Sequence, residues 1–199
     1  MSSQHIGKYA CLEIERRYLL NKLPDDLVEN TNGWLITDRY ISNTRLRLRG
    51  MKSISGSENI YKLTQKYRSE NQNAYETTIT NLYLTEAEYK CLEFLESRVI
   101  KKKRYSYEAQ SHNFSIDVFE DHHKGLILAE IEFENKSELD EFTLPLFALK
   151  DVTDDSFFTG GNLVTMTDDE FRKGLSQHTR DYQAFLQNTT QQSARHFHE

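Results

Sequence analysis

Charged and apolar side chains alternate one by one in six segments of this chain, and that period of two limits the fold more than any other feature. In CLEIERRYLL, residues Cys11 to Leu20, an extended backbone puts Glu13, Glu15 and Arg17 on one face, with Leu12, Ile14, Arg16 and Tyr18 on the other. TRLRLRG alternates Arg45, Arg47 and Arg49 with Leu46 and Leu48, and YKLTQKY sets Lys62, Thr64 and Lys66 on one face. Lys102 and Arg104 share a face in IKKKRYSYE. FSIDVFE opposes Asp117 to Ile116 and Val118, and LAEIEFEN opposes Glu130, Glu132 and Glu134 to Ile131 and Phe133. Repetition of this pattern in β-compatible segments predicts a largely antiparallel sheet system.

Two helices carry start signals. Thr85 with Glu88 forms a capping box, and Leu84 with Tyr89 a hydrophobic staple, so a helix is expected from about Glu86 toward Ser97. Thr167 with Glu170, and Met166 with Phe171, repeat both devices and predict a second helix over about 168–187. Its inner face would carry Phe171, Leu175, His178, Tyr182 and Phe185. The stretch 188–199 has no periodicity and reads as a frayed tail in which His196 and His198 form no metal site. No composition break divides the 199 residues, so one domain is expected, with a core over about 11–164.

At 37% hydrophobic and 28% charged, the chain belongs to the folded class. A net charge of −6 opposes general nucleic-acid binding but leaves room for a local basic surface. Cys11 and Cys91 form no CxxC pattern and read as free thiols of a reducing compartment. MSSQHIGKYA lacks the apolar core of a signal peptide, and no apolar run reaches membrane-span length. The expectation is a cytoplasmic protein without a membrane or nucleic-acid partner.

The signs of the charges are segregated, cations on three strands and carboxylates on three others, where a merely solvated surface more usually mixes them. If the apolar faces pack outward, the charged faces line an enclosed space. So many charges in a barrel require a compensating occupant, and a polyanion with a divalent metal is one that fits.

These segments resemble the CYTH superfamily, the triphosphate tunnel metalloenzymes. EIERRYLL is similar to the opening ExExK signature. TRLRLR, LTQK, the glutamate of YETTI, KKKRY, IDVF, GLILAEIEFEN and DVTDDSFFTGGNL follow in the family's order, spanning Glu13 to Asn162. The resemblance implies an α+β fold: an eight-stranded antiparallel β-barrel forming a tunnel, with helices packed outside. By position it implies Glu13, Glu15, Asp117, Glu130 and Glu132 as the set binding Mg²⁺ or Mn²⁺, and Glu76 as another tunnel acid. It implies Arg17, Arg45, Arg47, Lys66, Lys102 and Arg104 as the phosphate-binding set, with Lys62 a looser match sharing the face of Lys66. Arg49 and Glu134 have the right parity but are expected at the tunnel mouth, in solvent. No residue is assigned as general base.

The family's lysine in ExExK is Arg17 here. Arginine keeps the positive charge needed to hold phosphate but does not readily release a proton. The expected function is metal-dependent hydrolysis of inorganic triphosphate to phosphate and pyrophosphate. The alternatives are thiamine triphosphatase and nucleoside triphosphatase, and after them adenylate cyclase, for which the HF pair of the bacterial cyclase branch is absent. A non-enzymatic sensor of polyphosphate or nucleotide would use the same tunnel.

Overall fold

In the computed structural model, which describes residues 9–27, 33–67 and 73–180, the alternation becomes a closed barrel. Its strands are β1 (Cys11–Leu19), β2 (Trp34–Ile41), β3 (Leu46–Ser53), β4 (Asn59–Tyr67), β5 (Glu76–Leu84), β6 (Ser97–Ala109), β7 (His112–Phe119) and β8 (Ile127–Glu132). They pair in the ring order β5-β4-β3-β2-β6-β7-β8-β1, and β1 closes on β5. All the pairings are antiparallel. Strand β1 closes the ring by dividing its length: Cys11 to Ile14 pair with β5, and Glu15 to Leu19 with β8. A ninth strand, β9 (Lys150–Asp151), adds two residues beside Tyr18 and Leu19. Closure leaves no long unpaired strand edge.

The alternating apolar faces of β1, β7 and β8 point outward, the arrangement under which the charged faces are enclosed. Tyr18, Phe114, Ile116, Ala129 and Ile131, on β1, β7 and β8, form a buried cluster with Leu20, Phe133 and Leu139, against which Phe142 and Phe147 pack. The core of this side is thus outside the barrel wall, under the chain that follows β8. Helix α1 (Glu86–Leu92) packs on β3, β4 and β5, where Tyr89 is buried and its ring lies 4.6 Å from that of Tyr61. The Thr85–Glu88 capping box is present. The helix stops well short of Ser97, because Ser97 onward is drawn into the thirteen residues of β6, which pair with β2 on one side and β7 on the other. Tertiary pairing overrides helical propensity there.

Helix α2 (Lys136–Glu141) is capped by Asn135 and packs on β1. Arg16, the charged residue on the outer face of β1, donates to the carbonyls of Leu139 at 2.8 Å and Phe142 at 3.2 Å, closing the C-terminal end of α2. After β9 the chain makes a short 3₁₀ turn (Ser156–Phe158) and the single-turn α3 (Gly160–Leu163). The chain divides into two units, Met1–Thr165 and Met166–Glu199. In the second, α4 spans 168–180 behind the expected Thr167–Glu170 box, with Thr167 donating to Glu170 and accepting from its backbone at 3.3 Å. Tyr182, Phe185 and the tail 188–199 lie outside the described residues. Cys11 and Cys91 are exposed, unpaired thiols. No helix among the described residues is long and apolar enough to cross a membrane.

Arg16→Ala should cost about 1–3 kcal/mol of stability by removing charge-assisted bonds to two carbonyls. Urea unfolding measures this; an unchanged midpoint would remove Arg16 from its bracing role.

Candidate functional site

The inward faces enclose a cavity of about 480 Å³. Register determines which side chains reach it. Pairs across β1 and β8 set Glu15 opposite Glu132, Arg17 opposite Glu130 and Leu19 opposite Leu128. Tyr40 lies opposite Arg47 and Asp38 opposite Arg49 across β2 and β3. Arg49 and Arg47 in turn face Lys62 and Thr64 across β3 and β4. The wall therefore carries Glu13, Glu15, Glu130 and Glu132 together with Arg17, Arg45, Arg47, Lys62, Lys66, Lys102 and Arg104.

Two expected residues lie elsewhere. Glu76 is not on the cavity wall: it pairs with Ile14, whose side chain joins the outer core, and Thr77 one residue on takes the inward place opposite Glu13. A shift of one residue changes face in a strand. Asp117 has the inward parity but is 1% exposed and lies behind the wall, where Lys102 donates to it and Arg104 donates through Nε at 2.7 Å and Nη2 at 2.6 Å. Both of its oxygens are occupied.

Arg49 corrects a third expectation. It is not at the mouth in solvent but 7% exposed, donating to Asp38 at 2.6 and 2.7 Å. Asp38 was not singled out by the sequence pattern because its strand face also carries Ile36 and Tyr40, so no charge alternation marks it. Glu134, exposed and absent from the wall, accords with the solvated reading.

The charges form two chains of contacts. In one, Arg17 donates from Nε to Glu130 at 3.0 Å and from Nη2 to Glu15 at 3.1 Å, while Arg104 joins Glu130 at 2.7 Å to Asp117. Lys66 donates to Glu13 at 2.6 Å. In the other, Asp38 takes both arms of Arg49, and Arg47 Nε lies 3.6 Å from it. That Arg47 nitrogen is a buried donor with no hydrogen-bond partner among the described residues. Burial opposes the ionised form of Glu130, yet Arg17 and Arg104 hold its carboxyl well below the usual carboxylate range. Burial also lowers the Lys102 ammonium, reinforced by the like charges of Arg104 and Arg49 and opposed by Asp117. Glu132 is pushed up by partial burial and then by repulsion from Glu13 and Glu15.

The segment after β9 supplies the rest of the wall, a role that no alternation in DVTDDSFFTGGNL marks. Thr153, Thr159, Gly160 and Gly161 line the cavity. Asp151 accepts from the backbone and hydroxyl of Thr153 at 2.8 and 2.6 Å, and Thr153 in turn accepts from the Arg17 backbone at 3.0 Å. A Cβ on Gly160 would meet the Tyr40 hydroxyl at 1.9 Å, so only glycine permits this approach.

Carboxylates are the donors that hard divalent cations take, and Glu13, Glu15, Glu130 and Glu132 share the cavity wall. The donor chemistry fits such an ion. The acids are not already gathered around a common point: no group of three or more His, Cys, Asp or Glu among the described residues is arranged to hold a metal.

No protein-family model matches the sequence, and no curated protein matches it. Solved structures do share the fold. A crystal structure of the inorganic triphosphatase NE1496 superposes with a TM-score of 0.53, at 23% identity over 78% of this chain and 95% of that one. Another, described as the hypothetical protein NE1496, gives 0.52 at 25% identity over 77% and 98%. These structures share the barrel fold, which is the fold that the motif resemblance implies.

Asp38→Asn should destabilise the fold by about 3–5 kcal/mol, because Arg49 and Arg47 lose a buried counter-charge. The folded Asp38 carboxyl is depressed by Arg49 and Arg47, which outweigh the opposing effect of burial. Its stabilisation is therefore fully present above the unfolded value near 3.9 and lost as pH falls below it. The gap between wild type and variant in urea titrations should narrow in acid, and a gap independent of pH would refute the pairing. Glu132 has the opposite sign: its raised carboxyl makes ionisation unfavourable in the folded state. Glu132→Gln should raise the melting temperature of metal-free protein at pH 7, an advantage that disappears below the unfolded carboxylate range near pH 4.

Proposed function

We propose that this protein is a metal-dependent triphosphatase that hydrolyses inorganic triphosphate to pyrophosphate and phosphate inside the barrel. One observation carries the reading. The interior of a chain with net charge −6 holds eight basic side chains, Arg17, Arg45, Arg47, Arg49, Lys62, Lys66, Lys102 and Arg104, against six carboxylates, Glu13, Glu15, Asp38, Asp117, Glu130 and Glu132. An enclosed basic surplus selects a small polyanion. The fold shared with the inorganic triphosphatase NE1496 supports the same substrate class.

In this reading Arg45, Arg47, Lys62 and Lys66 hold the polyphosphate. Arg47 brings a guanidinium whose Nε makes no hydrogen bond among the described residues, a donor available to a phosphate oxygen. Lys102 and Arg104 are held in place by Asp117, which is buried behind the cavity wall and is read as a positioning anion rather than a metal ligand. Glu13, Glu15 and Glu132, with Glu130 behind them, are the donors proposed for Mg²⁺ or Mn²⁺; bound there, the ion supplies Lewis-acid neutralisation of phosphoryl charge. Arg17 serves as a phosphate clamp, since its charge is fixed and its two arms already span Glu15 and Glu130. The fixed guanidinium groups stabilise charge on the transferring phosphoryl without reorganising during the step. Exposed free thiols at Cys11 and Cys91 suit a cytoplasmic location.

The test is a panel of tripolyphosphate, ATP and thiamine triphosphate with Mg²⁺ or Mn²⁺, read for phosphate and for cyclic nucleotide. Tripolyphosphate should be cleaved best and no cyclic product should form. Arg47→Ala should lower kcat/KM by about 10²–10³, the scale for removing one positioned donor. Arg17→Lys should keep most activity and Arg17→Ala lose most of it. Tight tripolyphosphate binding with no turnover under either metal would instead identify a polyphosphate sensor.

A further inference from the structure

The two charge sets of the cavity are already joined to each other. Lys66 Nζ lies 2.6 Å from Glu13 and 4.0 Å from Glu15. Arg17 spans Glu15 at 3.1 Å and Glu130 at 3.0 Å. A divalent cation arriving alone therefore meets carboxylates whose field an ammonium and a guanidinium already oppose. A polyanion arriving alone meets cations whose field carboxylates oppose. Either ligand must separate an ion pair, and the side chain left behind then sits without a partner in a part-buried site.

Arriving together, the two ligands exchange partners. The polyanion takes Lys66 and an arm of Arg17, and the metal takes Glu13 and Glu15, so no charge is stranded. Lys66 suits this exchange because its side chain is 33% exposed on a flexible stem, whereas Arg17 is held more deeply at 15%. Glu132, which makes no hydrogen bond or ion pair among the described residues, adds a carboxylate that needs no such separation.

We infer that Lys66 and Arg17, by exchanging carboxylate for phosphate, make metal and polyphosphate binding mutually dependent, each ligand raising affinity for the other by the same factor. This rests on the triphosphatase reading and adds to it an order of assembly: the tunnel selects a polyphosphate accompanied by its metal over either ligand alone.

Calorimetry of Mn²⁺ with wild-type protein, with and without imidotriphosphate, whose bridging N–H groups resist hydrolysis, tests the coupling without turnover. The coupling is the gain in affinity beyond the association of Mn²⁺ with imidotriphosphate in protein-free buffer. A gain of about 5- to 150-fold is expected. Lys66→Met keeps the apolar stem and removes the clamp on Glu13, so Mn²⁺ alone should bind more tightly and the coupling should shrink. Binding of both ligands with no gain in wild type, or a gain unaltered in Lys66→Met, overturns the exchange. If imidotriphosphate fails to bind with or without Mn²⁺, the triphosphatase reading falls and the exchange with it.

Discussion

Charge compensation inside a closed barrel governs this structure. Alternation along each strand forces one face inward, and here that face is ionic. Leaving such groups unpaired away from water would cost several kcal/mol each. The register of the ring solves this by setting acids and bases across from one another: Arg17 opposite Glu130, Arg49 opposite Asp38, Arg104 opposite Asp117. The pairings that define the fold are therefore the same pairings that hold the site, and neither can shift by a residue without stranding charge.

Ile79, Ile100, Phe119 and Leu128 line part of the cavity, but the inward faces are mostly polar, and the main aromatic core lies outside the wall. The aromatic cluster of Phe114, Phe133, Phe142 and Phe147 and the short helices on the outer face perform the work that a central core performs elsewhere. This inversion stiffens the barrel from outside and keeps the inward guanidinium groups in fixed directions, a condition for electrostatic preorganisation. The segment after β9 contributes in the same sense. Thr153 ties it to the Arg17 backbone, and Gly160 lets it approach Tyr40 on the cavity wall.

Arginine at position 17 fits this arrangement on geometric grounds. A single ammonium is a point charge, whereas the guanidinium fork reaches Glu15 and Glu130 with separate nitrogens. The cross-link it makes joins the acid cluster near Glu132 to the deeper chain through Arg104 and Asp117. Compared with a lysine, the guanidinium lacks ready proton release and forms a bridge between the adjacent strands β1 and β8.

Which residues face together within each strand is legible in the sequence, since a period of two needs only local backbone geometry, and six segments suffice to indicate a β system with an ionic face. It also marked the starts of α1 and α4, whose capping boxes are local bonds. It did not determine which faces meet across strands. Glu76 turned outward and Thr77 inward because the β1–β5 register, a contact between residues far apart in the chain, sets that face. Arg49 was buried rather than solvated because Asp38, on another strand, lies directly opposite it. Asp38 was hidden on a strand with apolar residues at the same parity. Thr153 and Gly160 reached the wall only because the chain returns there after the ring has closed. Alternation is written in neighbouring residues; depth, partner and access depend on closure, a property of contacts between residues far apart in the chain.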